Sequence, residues 1–263
     1  MNRAWAVTRK EWAEVFKNRF VIFTVAFTPL LLTAIPLIIL GATGSAEEMT
    51  GLSSADMPQR FAELCGDLSG EECAQYFIIS QFLLLFMLIP LAVPVTIATY
   101  SVVGEKTTRT LEPVLATPIT TAEFLAGKAL AAVLPAIAAT WGAFLVFVAG
   151  CVALGAGPLL LDRLTEPQWL AAIFAVGPLL SLAAVNVALM VSSRANDPRV
   201  AEQLSMLVIL PLLGLFFAQI AGLAIINLDL ILWMGAALLA IDAGLIAFAV
   251  QLFQRESILT RWK

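Results

Sequence analysis

Six long uncharged stretches divide the chain: Phe20 to Gly44, Cys73 to Gly104, Ala129 to Leu161, Pro167 to Ser193, Gln203 to Leu228 and Leu230 to Gln254, the last broken by Asp242 alone. A helix of roughly 20 mostly apolar residues crosses a bilayer, and each stretch is that long. They predict spans over 20–42, 76–103, 128–156, 169–192, 203–226 and 231–253. The third stretch is longer than one span needs, so Gly155, Gly157 and Pro158 are expected beyond the helix end. No period-two alternation of the kind a β-barrel requires is present. The first stretch is too long for the apolar region of a cleaved signal. Pro29, Pro36, Pro90, Pro94, Pro135, Pro178 and Pro211 interrupt five of the six spans. Such breaks are tolerated where neighbours satisfy the freed carbonyls, and they serve equally as hinges or as fixed bends.

The connections carry their own patterns. Residues 1–19 are too polar to span. On a helical projection Trp5, Trp12 and Phe16 fall on one side, with Lys10, Glu14 and Lys17 opposite. This predicts an amphipathic helix lying in the membrane interface. The connection over 104–127 has mixed charges and is divided by Pro113 and Pro118. Leu111, Val114 and Leu115 can share one face of a short helix. An apolar knob ringed by charge suits docking into another protein's groove, although a solvated loop fits the same composition. Thr120 followed by Glu123 reads as a capping box at the start of the third helix. The connection over 43–75 is acidic and holds Cys65 and Cys73. A disulfide between them is permitted on an oxidising outer face. Cys151, inside the third span, is expected to be a buried apolar residue.

Composition agrees with this pattern. Hydrophobic residues make up 60% of the 263 and charged residues 13%, which leaves an all-α integral membrane protein as the fold class. A net charge of −4 with 15 Lys and Arg is far from the basic footprint of a nucleic-acid binder. With no histidine, His-based metal sites and His general bases are excluded. Thirteen of the 15 cations fall in the N-terminal segment, the second-to-third and fourth-to-fifth connections and the tail at 254–263. Only Arg60 and Arg163 fall on the other side. By the positive-inside rule both termini are cytoplasmic.

Several polar residues lie within the spans. Asp242 is the one acid near the middle of a span. It reads either as a cation, proton or substrate site or as a carboxyl bonded to a neighbouring helix. Asn186 and Thr96 are further candidates for a transport path, though such side chains also bond to their own or a neighbouring helix. An ion- or proton-coupled secondary transporter using Asp242 is one reading. An intramembrane enzyme is not: the chain has no His-Glu-x-x-His, no second intramembrane aspartate and no Gly-x-Ser-x-Gly.

Gly104-Glu105-Lys106, Thr110-Leu111-Glu112-Pro113, Leu115-Ala116-Thr117-Pro118 and Gly127-Lys128 follow one another between the second and third spans. This stretch resembles the signature of the ABC-2 family of ABC-transporter permeases. Arg9-Lys10-Glu11, the prolines at 90 and 94, and Ser193-Arg194 with Asp197-Pro198-Arg199 resemble other parts of that family. The resemblance implies an ABC-2 exporter-type fold in the plasma membrane. It implies a working unit of two permease chains, identical or sister, with two copies of a cytoplasmic ATPase. It also implies export by alternating access. The second-to-third connection is then the coupling helix, a role carried onto Glu105, Arg109, Leu111, Glu112 and Thr117. ATP and Mg are expected on the partner, and no cofactor on this chain. Consistent with that, its one Gly-Lys is followed by Ala129, and Ala122 stands where a P-loop needs its first glycine. Relatives move ions, drugs, lipids or glycans, and these residues do not choose among them.

Overall fold

A computed structural model describes residues 3–42, 70–108 and 119–252. Every regular element among them is helical. The helices are α1 (Arg3–Val15), α2 (Arg19–Ala42), α3 (Gly70–Phe86), α4 (Ile89–Thr108), α5 (Thr121–Ala153), α6 (Pro158–Leu164), α7 (Pro167–Ala171), α8 (Gly177–Arg194), α9 (Pro198–Ser205), α10 (Leu210–Ile220) and α11 (Leu228–Leu252). Six segments are long and apolar enough to cross a membrane: Arg19–Gly41, Tyr76–Glu105, Thr121–Ala153, Leu161–Arg194, Pro198–Ile220 and Leu228–Leu252. The all-α, six-span fold expected from the apolar pattern is therefore the fold observed.

Prolines account for the irregular turns. Proline has no N–H, so the carbonyl one turn earlier loses its partner. Pro90 has this effect on Phe86, where α3 ends and α4 begins. A five-residue π turn (Ala172–Val176) precedes Pro178, and a 3₁₀ turn (Met206–Ile209) precedes Pro211. In the π register Pro178 would have served the Ile173 carbonyl. Trp141 Nε1 donates to that oxygen instead, at 3.3 Å. Pro135 likewise frees the Ala131 carbonyl, which accepts from Trp12 Nε1 at 2.9 Å. Both indoles thus satisfy backbone groups that lipid cannot.

Helix ends follow their local chemistry. Thr120 Oγ1 accepts from the Glu123 backbone N–H at 3.2 Å, and the Glu123 carboxylate accepts from the Thr120 N–H at 2.9 Å. The capping box starts α5 at Thr121, earlier than the 128 expected from hydropathy alone. After α5, Gly155 takes a φ of 78°, which a residue with a Cβ adopts only with strain.

The second and fourth spans form the centre. Phe86, Leu83, Ile89, Leu91 and Ile97 of the second span are essentially inaccessible, as are Ile173 and Leu189 of the fourth. Helix α5 packs on both α4 and α8. Phe86 meets Phe147 of α5 with ring centroids 5.4 Å apart. The first, fifth and sixth spans are peripheral, with large side chains such as Phe23, Phe217 and Trp233 left facing outward.

Helix α1 lies across one end of the bundle, mainly on α5. Its buried face is Val7, Thr8, Glu11 and Val15. That face adjoins the aromatic side singled out from the sequence. Trp5 and Phe16 stay exposed, and Trp5 stacks edge-on against Trp12 at 5.6 Å.

Candidate functional site

At the α1 end, three segments far apart in sequence bring charges together. Helix α1 supplies Lys10 and Glu11, α4 supplies Ser101 and Glu105, and α5 supplies Lys128. Lys128 Nζ lies 2.9 Å from Glu11 Oε1, 2.8 Å from Glu105 Oε2 and 2.7 Å from Ser101 Oγ. The ammonium donates hydrogen bonds to Glu11 and Ser101 and forms an ion pair with Glu105. Ser101 Oγ passes a hydrogen bond on to Glu11 Oε2. Lys10 Nζ pairs with Glu105 Oε1 and approaches Glu14 at 3.6 Å. The Lys128 ammonium also sits 5.2 Å from the centre of the Phe124 ring.

The side chains of Glu11, Glu105 and Lys128 are no more than 3% exposed. A buried charge is costly unless paired and hydrogen-bonded. Here two lysines face two buried glutamates, so the cluster is neutral. Burial alone would raise the Glu11 carboxyl. The charge of Lys128, hydrogen bonds from Ser101 and Lys128, and the charge of Lys10 outweigh it and hold the carboxyl below the usual 4.5. Burial alone would lower the Lys10 ammonium, but its bond to Glu105 and the surrounding carboxylates raise it above 10.5.

Backbone contacts seat α1 beside the cluster. Thr8 Oγ1 donates to the Gly127 carbonyl at 3.0 Å. Gly127 has no side chain, and α1 occupies the space one would take: an added Cβ would meet Val7 Cβ at 2.6 Å and the Ala4 carbonyl oxygen at 2.7 Å. The motif Gly127-Lys128 therefore does two jobs, admitting α1 with its glycine and holding Glu11 with its lysine.

The cluster closes the base of the second-to-third connection. Glu105 lies near the end of α4 and Lys128 in the second turn of α5. Glu105, expected with the coupling loop, is in the helix and buried. Arg109, Leu111, Glu112 and Thr117 lie outside the described residues. The bonds of the cluster join α1, α4 and α5.

The candidate path residues are not gathered in one place. Thr96 is fully buried and donates to Glu202 Oε1 of α9 at 2.6 Å. Asn186 Nδ2 donates to the Leu182 carbonyl of its own helix at 2.9 Å. It lines an apolar groove of about 440 Å³ between α5, α8 and α11, and neither Thr96 nor Asp242 is among the walls of that groove. Asp242 is 3% exposed on a helix whose other buried residues are Ile231 and Ala249. Neither of its carboxyl oxygens has a hydrogen-bond partner among the described residues. A carboxyl buried without a partner costs stability, so Asp242→Leu is expected to stabilise the fold by about 1–3 kcal/mol. A lower melting temperature in the variant would instead reveal a partner that the native carboxyl needs. Cys151 is a buried free thiol. Cys73 is disulfide-bonded, and Cys65 lies outside the described residues.

Sequence reasoning missed Ser101, any pairing role for Glu11, and the convergence of Lys10 and Lys128 on Glu11 and Glu105. Lys10 entered it on the polar face of the first helix and in Arg9-Lys10-Glu11, Lys128 in Gly127-Lys128, and both as inward positive charge. A partial signal was present: Glu105-Lys106 and Lys128 are the charges that border the second and third apolar runs, and their signs are mixed.

A family model described as ABC-2 family transporter protein matches residues 5–255. No curated protein matches the chain.

Proposed function

The chain belongs to the ABC-2 transporter family, and on that premise we propose that it is the permease subunit of an ATP-driven exporter. A separate ATPase, two copies per complex, supplies the energy and carries ATP and Mg. Two permease chains, identical or sister, complete the unit. Both termini and the second-to-third connection face the cytoplasm, with the protein in the plasma membrane. The positive-inside distribution of Lys and Arg supports that orientation.

The observation that carries this reading is the buried ionic cluster. A partner pushing on residues 109–118 acts on the chain between α4 and α5, within a few residues of Glu105 and Lys128. Lys128 ties those two helices to each other and to α1. Force on the loop is therefore delivered to the second and third spans together rather than dissipated at one helix end. Pro90 and Pro94 break the second span, which includes α4, and the proline-broken fourth span packs against α4 and α5, so both offer points of bending.

Mild-detergent purification from the native membrane tests the reading. A stoichiometric partner carrying a Walker A motif is expected to co-elute. Leu111→Asp places a charge on the apolar knob and is expected to release that ATPase while the permease stays in the membrane. An ATPase retained at wild-type stoichiometry in Leu111→Asp would remove the loop from the contact. A wild-type chain that elutes alone, while other ABC complexes survive the same conditions, would overturn the permease assignment.

A further inference from the structure

The end of the bundle opposite α1 contains a second polar site, unrelated to the ionic cluster. Helix α3, the segments around α6 and α7, and the end of α10 enclose a cavity of about 220 Å³. A single water needs roughly 10–15 Å³ of such space, so a molecule of many heavy atoms fits. Tyr76, Ser80, Arg163, Glu166, Trp169 and Gln219 are among its walls, with the amides of Gln168 and Asn227 beside them.

Gln219 is the first observation. It is 4% exposed, inside a membrane-spanning segment. Its Nε2 donates to Ser80 Oγ at 3.3 Å, while its Oε1 has no hydrogen-bond partner among the described residues. A buried amide oxygen on a cavity wall is normally satisfied. Here it presents an acceptor to whatever occupies the space. The charge balance is the second observation. Arg163 and Glu166 pair with each other at 2.9 Å, so the walls favour neither an anion nor a cation. The third is aromatic. Tyr76 and Trp169, 4% and 2% exposed, line the cavity and add apolar edges beside its polar rim. The Arg163 guanidinium lies 6.0 Å from the centre of the Tyr76 ring.

A donor aimed at Gln219, hydroxyls that donate to Ser80, whose own proton goes to the Phe77 carbonyl, and that bond the Arg163–Glu166 pair, no net charge, and an apolar edge for Trp169 and Tyr76 describe one class of compound. We propose that this cavity binds a neutral, hydroxyl-rich ring: a monosaccharide unit, either free or as the headgroup of a lipid. The proposal concerns binding and holds whether or not the chain is a permease.

The test uses the full chain in phosphatidylcholine nanodiscs prepared without glycoside detergents, with tryptophan emission as the readout. Glucose, galactose and N-acetylglucosamine are titrated across the millimolar range, with glycine betaine and sulfate as charged comparators. A parallel set of nanodiscs carries a monoglucosyl lipid, which separates the lipid-borne source from the free one. A saturable response to a neutral sugar or to the glucolipid is expected. Gln219→Leu should weaken it about tenfold or more, because the hydroxyl facing Oε1 loses its acceptor. Should Gln219→Leu fail to fold, Ser80→Ala carries the same expectation. A response to betaine or sulfate alone, no response to any sugar or to the glucolipid, or unchanged affinity in a folded variant would each overturn the proposal.

Discussion

Lys128→Met is expected to undock α1 and destabilise the protein by about 3–5 kcal/mol, the range seen when one member of a buried ion pair is removed. The methionine keeps the length of the side chain and its contact with Phe124. It removes the one group that bonds Glu11, Glu105 and Ser101 at the same time. Two buried carboxylates then share only Lys10, whose side chain is 35% exposed. Two measurements check this: the melting temperature in nanodiscs and the hydrogen exchange of α1 amides. Unchanged melting together with slow α1 exchange would show that the cluster does not hold the helix.

The same exchange measurement has a pH signature. Glu11 is held below 4.5 in the fold, so its contribution is complete above 4.5 and is lost as the pH falls through its lowered value. Lys10 is raised above 10.5, so its contribution is complete below 10.5 and is lost only as the pH rises through its raised value. Protection of α1 should therefore be flat between these limits in the native chain. In Lys128→Met the sign reverses for Glu11. Without its cation the carboxyl is favoured in its protonated form, so mild acid should narrow the gap between variant and native protein. A gap that widens in acid would count against the pairing.

Gly127→Ala is expected to be the second most damaging of these changes, although alanine is the better helix former. Alanine in place of a helical glycine gains about 1 kcal/mol from propensity. Overpacking costs about 1–3 kcal/mol, and here the obstructing atoms are the Val7 Cβ and a backbone carbonyl of α1. Neither swings aside as the end of a long side chain does, so the helix itself must lift. Lifting it stretches the Thr8 bond to Gly127 and the Glu11 bond to Lys128. Gly142, on the same helix, has nothing within 4 Å of its would-be Cβ. Gly142→Ala should therefore hold or raise the melting temperature while Gly127→Ala lowers it. Equal shifts at the two positions would remove close approach as the reason for the glycine.

Much of the fold was readable along the chain. Apolar runs longer than a bilayer requires leave helices as the economical solution, because lipid offers no partners to an open backbone. That argument uses only length and hydropathy, and it yielded six spans. The capping box at Thr120 was equally readable, since its two bonds join residues three apart. The prolines marked breaks, but not their kind. Whether a freed carbonyl ends in a π turn, a 3₁₀ turn or a tryptophan bond depends on which helix lies alongside.

The candidate site was readable in its parts and hidden in its assembly. The sequence singled out Lys10-Glu11, Gly104-Glu105-Lys106 and Gly127-Lys128, yet it assigned Glu105 to a docking loop and the lysines to orientation. A charge written along a chain shows its sign but not its neighbours. Lys128 and Glu11 are separated by 117 residues, and Lys10 and Glu105 by 95. They meet because α1 crosses α5 at a glycine, and that crossing is set by side-chain packing between helices that one-dimensional periodicity does not describe. Asp242 illustrates the same division. Hydropathy alone placed an acid in the membrane; that it faces the bundle, on a helix otherwise turned outward, followed only from how the sixth span lies against the fourth.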